Sequence, residues 1–155
     1  MRGFLHDLRS AALGAFALAA SAGLAGAGSF WWHREIPAVR LACADVRGLG
    51  VGEAGGLEPG RVLWVDARWE QAHEGGHLAG AVCFNEMNWE AQASSLVFAW
   101  RPGMAVVAYA EPGDGRSARR AAAIARVAIG LEDVRYLEGD WRQLRAAFGA
   151  AGGEP

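Results

Sequence analysis

The chain has 155 residues, of which 52% are hydrophobic and 21% are charged. This length accommodates one compact domain of roughly 100 to 120 residues and an additional segment, but not two full domains. Its 15 basic and 17 acidic residues give a formal net charge of -2, and no long basic run occurs. The charge balance therefore argues against nucleic-acid binding.

Residues 1–34 are predicted to form an N-terminal transmembrane anchor. The stretch Ser10–Trp32 contains no charged residue and is 23 residues long. As a helix it would extend about 34 Å, enough to cross a hydrocarbon core of about 30 Å. Three aromatic residues at its far end suit a membrane interface, and the arginines before it favour a cytoplasmic N-terminus. Two alternatives stay open: a signal peptide cleaved near residues 25–27, and a buried helix of a soluble protein.

Both an anchor and a signal peptide would export the rest of the chain. We expect a single-pass protein of a bacterial cytoplasmic membrane, with its soluble domain on the periplasmic or external side, or a secreted protein if the segment is cleaved. Cys43 and Cys83 follow this segment and would face an oxidising compartment. They either form a disulfide or remain two small buried thiols. Since the sequence has no Cys/His cluster, we expect no metal site.

The rest of the chain alternates short apolar runs with amphipathic segments. Residues 35–60 are rich in Gly and are predicted to be a tether with a brief edge strand near Val39–Leu41 and a loose first helix or loop. Strands that alternate with helices imply an α/β fold with a central parallel sheet flanked by helices. The patterns after residue 60 predict, in chain order, a strand at 61–66, a short helix before the glycines at 75 and 76, a strand at Ala81–Phe84, a helix at 89–100, a strand at 104–109, a helix at Ser117–Ile129, a strand at 133–137, a helix at 141–148 and a flexible tail at 149–155.

The segment between Tyr109 and the helix predicted to begin at Ser117 is a candidate anion-binding loop. Its glycines and the helix N-terminus present backbone N–H groups, and Arg116 adds a positive charge. Glu111 and Asp114 oppose an anion because they carry negative charge inside the same loop. In an alternative interpretation the loop is purely structural: these acids satisfy the helix terminus and pair with a nearby arginine, namely Arg116, Arg119 or Arg120.

Six short motifs occur along the predicted domain: VDAR (65–68), GHLAGA (76–81), NEMNWE (85–90), VVAY (106–109), GRSARRAA (115–122) and VRYLEGDW (134–141). In this order and spacing they resemble a rhodanese-like domain, in particular the membrane-anchored single-domain kind. The resemblance covers residues 38–148. It implies a small α/β domain with a central parallel sheet, which agrees with the fold obtained from the periodicity.

The resemblance also assigns a role to the first position of the loop, which is Ala110 in this sequence. Active members of the family carry a cysteine there, which takes up a sulfur atom as a persulfide. Alanine has no nucleophilic atom, so the resemblance implies a domain without sulfurtransferase activity. The loop of seven residues from Ala110 to Arg116 is similar to that of the related cell-cycle phosphatases, and the missing nucleophile excludes their chemistry as well.

We therefore expect a binding or regulatory module that takes a protein partner or a small ligand at its loop and needs no cofactor. Two alternatives stay open: an active sulfurtransferase or sulfur carrier that uses Cys83, and a structural or vestigial domain without a ligand. The residues expected to form the site are Ala110, Glu111, Pro112, Gly113, Asp114, Gly115, Arg116 and Ser117.

Residues outside the loop are predicted to support it. Asp66 and Arg68, at the end of the first long strand, are interpreted as a hydrogen-bonded or ion-paired set. His77 is expected to anchor a turn and His73 to be solvated. Ser117 is expected to cap the following helix or to lie in its first turn.

Overall fold

The computed structural model of the chain describes Cys43 and residues 45–151. The predicted anchor at 1–34 and the edge strand predicted near Val39–Leu41 lie outside the described residues. The described part belongs to one of the two units into which the chain divides, Pro37–Pro155. Within this part, no helix has both the length and the hydrophobicity needed to span a bilayer.

The strands of the described part form two sheets. All neighbours in the larger sheet are parallel; those in the smaller are antiparallel. The strands are β1 (Arg47–Gly50), β2 (Val62–Asp66), β3 (His77–Leu78), β4 (Val82–Cys83), β5 (Ala105–Tyr109), β6 (Val134–Glu138) and β7 (Ala150–Ala151). The larger sheet has the order β1-β6-β5-β2-β4, and β3 pairs with β7. This arrangement confirms the predicted α/β fold with a central parallel sheet.

The inner strands β2 and β5 are buried along their whole length. Both are nearly uninterrupted apolar runs, as expected of parallel strands that are covered on both faces. Their register pairs Val62 with Ala105 and Asp66 with Tyr109, so the two strands end together. Asp66 therefore lies beside the start of the loop that follows Tyr109.

The helices cover both faces of the sheet. They are α1 (Val51–Gly55), α2 (Glu70–Glu74), α3 (Trp89–Ala99), α4 (Gly115–Ile124) and α5 (Arg145–Phe148), with a π-helical turn at Ala125–Ile129 and a 3-10 turn at Trp141–Leu144. The connections from β4 to β5 and from β5 to β6 cross the sheet in the same direction, so right-handed crossovers place α3 and α4 on one face. There α4 packs on β5 and β6. Buried alanines such as Ala118 and Ala122 let its backbone approach the sheet closely.

The opposite face of the sheet packs against the last helical segment of the domain. The ring centroids of Tyr109 and Trp141 are 5.2 Å apart, and those of Trp64 and Phe148 are 4.9 Å apart. Leu49, Leu78 and Leu144 belong to the same buried cluster. Burial of aromatic side chains is a large favourable contribution to folding, so this cluster holds the segment after β6 against the sheet.

Two short strands lie where the sequence predicts none. The edge strand β1 falls in the segment predicted to be a loose tether, and its register places Gly48 beside Tyr136 of β6. A Cβ at Gly48 would meet the end of the exposed Glu138 side chain, which would have to move. Ala150–Ala151, in the predicted flexible tail, forms β7, and Gly149 turns the chain into it with φ 77°.

The predicted helix at Ser117–Ile129 also differs in its limits. It begins at Gly115 and continues as the π-helical turn, which ends at Gly130 with φ 84°. The predicted strand at Ala81–Phe84 is shorter and comprises only β4. Helix and strand ends are set by local backbone hydrogen bonds, which sequence periodicity does not resolve.

Candidate functional site

The loop after β5 lies at the edge of the sheet where the parallel strands end. A cleft of about 300 Å³ opens there, between the loop on one side and Tyr136–Gly139 on the other. Ligand sites of parallel α/β domains form at this edge, between the ends of neighbouring strands. The cleft is therefore the candidate functional site of the described part of the chain.

Ala110 lines this cleft at the first position of the loop. Its side chain is 6% exposed and directly follows the buried Tyr109. A methyl group presents no lone pair and no ionisable proton to the cleft. Ala110 therefore offers the cleft no nucleophilic atom.

The loop owes its shape to Gly113 and Asp114. Gly113 has φ 88°, a conformation that favours glycine. Asp114 is the N-cap of α4, and its carboxylate accepts a hydrogen bond from the Ser117 backbone N–H at 3.2 Å. Ser117 therefore lies in the first turn of the helix, one of the two roles predicted for it. One amide at the helix N-terminus is consequently already used by the chain's own carboxylate.

Glu111 points away from the helix terminus and is held by two arginines of other segments. Arg68 Nη1 donates to Glu111 Oε1 at 3.1 Å, and Arg142 Nη2 donates to Oε2 at 3.1 Å. The alternative interpretation pairs this acid with Arg116, Arg119 or Arg120, whereas the ion pairs of the described residues join it to Arg68 and Arg142. The ends of β2 and β5 are adjacent, which brings Arg68 to Glu111 although the two residues are far apart in sequence. Two positive neighbours neutralise a charge that was expected to repel an anion.

Asp66 and Arg68 form a buried ion pair beneath the loop. Asp66 is 0% exposed, and its two carboxylate oxygens accept from Arg68 Nε at 2.9 Å and Nη2 at 2.7 Å. Arg68 Nη2 also donates to the Gly76 carbonyl at 2.7 Å. With Glu111, the guanidinium thus has protein acceptors on all three nitrogens, which a buried arginine requires.

The pair favours ionisation of both partners. Burial alone would raise the pKa of Asp66, but hydrogen bonds from His73 and Arg68 outweigh it and lower the pKa to about 2. Burial also opposes the charge of Arg68, while its hydrogen bond and attraction to Asp66 raise the pKa of the guanidinium above its already high ordinary value. Both groups are therefore charged at neutral pH.

Trp141 provides a platform for the arginines of the site. The guanidinium carbon of Arg68 lies 4.6 Å from the ring centroid, and those of Arg142 and Arg145 lie at 5.2 and 5.0 Å. These distances are in the range of cation–π attraction. The indole is buried, and its N–H has no acceptor within the described residues. Trp141 thus acts through its ring faces, which fix the arginines that hold Glu111.

Further hydrogen bonds connect Asp66 to β3 and α2. Tyr109 Oη donates to Asp66 Oδ2 at 3.1 Å and accepts from the Leu78 N–H at 3.2 Å. His73 Nδ1 lies 3.0 Å from the same Oδ2. Because a carboxylate only accepts, this nitrogen carries the proton. The prediction that His73 is solvated is therefore wrong: its side chain is 17% exposed and bonded to a buried acid.

His77 contacts His73, which is bonded to Asp66. Its Nδ1 donates to the His73 carbonyl at 2.7 Å, and the two rings stack with centroids 3.8 Å apart. The turn between α2 and β3 is thereby fixed, as predicted for His77. No group of three or more potential metal ligands occurs in the described part of the chain.

Cys83 does not reach the cleft. It ends β4, whose neighbour β2 separates it from β5, so it lies two strands or about 10 Å from the start of the loop. Its thiol donates to the Arg68 carbonyl at 3.8 Å and accepts from Gln92 Nε2 at 3.5 Å. Burial, followed by the charges of Asp66 and Glu70, raises the pKa of Cys83 to about 11. Cys83 and Cys43 are both free thiols.

The far wall of the cleft contains residues that sequence analysis did not assign to the site. Tyr136 Oη donates to Glu138 Oε1 at 2.7 Å, and this bond raises the pKa of Tyr136. Arg116 and Arg119 line the opposite wall and form no ion pair with any described residue. A signal for the missed residues existed: the carboxyl end of the strand beside β5 must border the same site.

The chain was compared with known proteins. Residues 54–147 match the family described as the rhodanese-like domain. No curated protein matches the chain. A solved structure of a protein of unknown function from Rhodopseudomonas palustris CGA009, described as a possible tyrosine phosphatase, is 21% identical, with a TM-score of 0.47 over 70% of this chain and 86% of that one. The family match runs from the end of α1 to within α5, and it thus includes the loop and the residues that support it.

Proposed function

This chain belongs to the rhodanese-like domain family, and from that premise we propose that it is a member without sulfurtransferase activity that binds a ligand at the loop 110–116. The observation that carries the proposal is Ala110. It occupies the position of the persulfide-forming cysteine of active members, and it lines the cleft with a methyl group. No reacting sulfur can be carried there.

Cys83 is a poor substitute for the missing nucleophile. A pKa of about 11 leaves it protonated at neutral pH, and the thiolate is the reactive form. Its position two strands from the loop also keeps it away from the amides and arginines that would hold a sulfur donor. These two observations favour binding over sulfur transfer by a displaced thiol.

The proposed ligand is a small molecule or a side chain of a protein partner that carries an anionic group. Arg116, Arg119 and the N-terminus of α4 attract such a group. Glu111 does not oppose it strongly because Arg68 and Arg142 pair with it. On the far wall, Glu138 accepts hydrogen bonds and suits a donor elsewhere on the ligand.

The proposal extends to location. The uncharged stretch Ser10–Trp32 supports a single-pass anchor in a bacterial cytoplasmic membrane, with the domain on the periplasmic or external side. Carbonate extraction of membranes from cells that produce the full chain tests it. Retention at full mass is expected, whereas release at a reduced mass would identify a cleaved signal peptide.

Activity is tested by transfer of sulfur from thiosulfate to cyanide. The full chain should give no thiocyanate above a protein-free control. A Cys43→Ser/Cys83→Ser variant serves as the matched thiol-free control. Thiocyanate formed by the natural chain but not by this variant would show that a displaced thiol is catalytic and would refute the proposal.

Ligand binding is tested with sulfate, phosphate and thiosulfate as probes. We expect at least one of them to shift the backbone amide NMR signals of Gly113 and Gly115, and the Arg116→Ala variant to lose most of that shift. Signals that do not move at millimolar concentrations of any of the three would exclude an anion at the loop.

A further inference from the structure

Three exposed apolar side chains lie at the edge of the sheet opposite to the cleft. Val97 and Phe98 are in the last turn of α3, which leads to the start of β5, and Val127 is in the π-helical turn that leads to β6. Phe98 is 83% exposed. We call the edge where the parallel strands begin, with these three residues, the entry edge. Strands of five residues separate it from the cleft by about 17 Å.

The chain enters the domain at this same edge. The Asp45 carbonyl accepts a hydrogen bond from Arg126 Nη1 at 3.1 Å, which places the entering segment beside Val127. All strands of the larger sheet are parallel, so the start of β1 and the end of α3 must lie at one edge. Asp45 and the end of α3, with Phe98, therefore lie on the same side of the domain.

The distance along the chain to the uncharged stretch is short. Only residues 33–44 separate Trp32 from Asp45. Even fully extended, they span no more than about 40 Å. If Ser10–Trp32 crosses a bilayer, this segment keeps Asp45 within about 40 Å of the membrane surface.

We propose that the entry edge, through Val97, Phe98 and Val127, contacts the bilayer surface, and that the cleft opens on the side away from the membrane. This inference rests on the membrane anchor of the proposed function. Exposed apolar side chains of this kind are buried favourably at the boundary between headgroups and acyl chains. Trp100 is half-buried at the same edge, and Arg101 Nη1 donates to the Phe98 carbonyl at 2.8 Å, which keeps its charge beside Phe98.

Apolar contact, not charge, drives the proposed interaction. Arg101 and Arg126 lie at the entry edge, but Glu132 and Asp133 precede β6 at the same edge and offset them. Anionic lipid should therefore strengthen the contact little.

The test uses the full chain in lipid nanodiscs, with a nitroxide label on a Cys43→Ser/Cys83→Ser background. The label is attached to the Phe98→Cys variant or, as a matched control, to the Met87→Cys variant. Met87 is 69% exposed and follows β4, at the edge that holds the cleft. Circular dichroism checks that both variants fold, and a Val127→Cys label provides a second position at the entry edge.

Collisions with oxygen, which concentrates in lipid, are compared with those of a water-soluble nickel chelate. We expect oxygen to dominate at positions 98 and 127 and the chelate to dominate at position 87, in phosphatidylcholine with or without phosphatidylglycerol. A label at 98 as accessible to the chelate as that at 87, or one shielded from both reagents by protein, would overturn the inference and leave the anchor intact. A chain that does not insert into nanodiscs would overturn the anchor, and this inference with it.

Discussion

The first position of the loop and the network beneath it differ in the chemical groups that they offer. Ala110 offers the cleft only a methyl group. A few ångströms away, Asp66 accepts hydrogen bonds from Arg68, His73 and Tyr109, and Arg68 continues to Glu111. The hydrogen bonds and ion pairs that support the loop thus involve no atom of the side chain at position 110.

Three interactions set that shape without a cysteine. They are the buried ion pair that holds Glu111, the cap formed by Asp114 and the left-handed conformation of Gly113. A loop supported in this way is a ready-made binding site, because its amides are ordered before a ligand arrives. We expect substitutions of the supporting residues to change the stability of the domain, and a substitution at position 110 to change the reactivity of the loop.

Removal of the buried guanidinium should cause the largest loss of unfolding free energy. Arg68→Ala leaves Asp66 as an uncompensated buried charge, which costs about 3–5 kcal/mol of unfolding free energy. Arg142→Ala is the matched control: it also contacts Glu111 and Trp141, but its side chain is 45% exposed. Its ion pair is worth about 0–1 kcal/mol. Urea unfolding measures both, and equal effects would contradict the assigned role of Arg68.

Introduction of a thiol should convert the inert position into a reactive one. In the Ala110→Cys variant, Arg116 and the N-terminus of α4 favour the thiolate. Iodoacetamide at neutral pH should therefore modify the new thiol about 100-fold faster than Cys83, or more. Peptide mass spectrometry measures the two rates in one sample. Rates that agree within a few-fold would show that the loop lacks the positive field ascribed to it.

Low pH should destabilise the domain because the ion pair beneath the loop requires an ionised Asp66. Its pKa of about 2 lies below the ordinary value of 3.8. The depressed pKa gives stability that is fully present above about pH 4 and is lost as the pH falls through 2, roughly 2–3 kcal/mol in all. Urea unfolding between pH 5 and 2.5 should show most of this loss of stability. The Glu111→Gln variant should lose the same amount over this pH range. Carboxyl NMR titration of Asp66 with a midpoint near 4 would refute the explanation.

Loss of the helix cap should cause the smallest loss of unfolding free energy. Asp114→Ala removes the acceptor of the Ser117 N–H and should cost about 1 kcal/mol of unfolding free energy. Asp114→Asn keeps an oxygen in place and should cost only a few tenths of that. If both substitutions are equally destabilising in urea, the negative charge and not the cap is what the loop requires.

Much of the fold followed from the sequence because buried parallel strands have a distinct pattern. The apolar runs of β2 and β5 permit little else than a sheet covered on both faces. The edge strand β1 lacks this signal because two of its four residues are glycines. The two-residue strand β7 is too short to produce any pattern, and its pairing with β3 depends on the turn at Gly149.

The site was predictable where its residues are close in sequence. Asp66 and Arg68 are two positions apart at the end of one strand, and the structure pairs them. The partners of Glu111 could not be found this way, because Arg142 is 31 positions away and comes from the segment after β6. The sequence predicts a solvated His73 because nothing in its neighbourhood reveals that α2 turns it towards Asp66. Electrostatic partners that are far apart in sequence can be identified only once the fold is known.

The proposed lack of sulfurtransferase activity is tested most directly by whether this chain can take up a sulfur atom. The purified full chain is incubated with thiosulfate, and its intact mass is measured without reducing agent. We expect an unchanged mass, with the Ala110→Cys variant as the comparison that can gain a sulfur atom. A natural chain that becomes heavier by one sulfur, located by peptide mapping on Cys43 or Cys83, would contradict it.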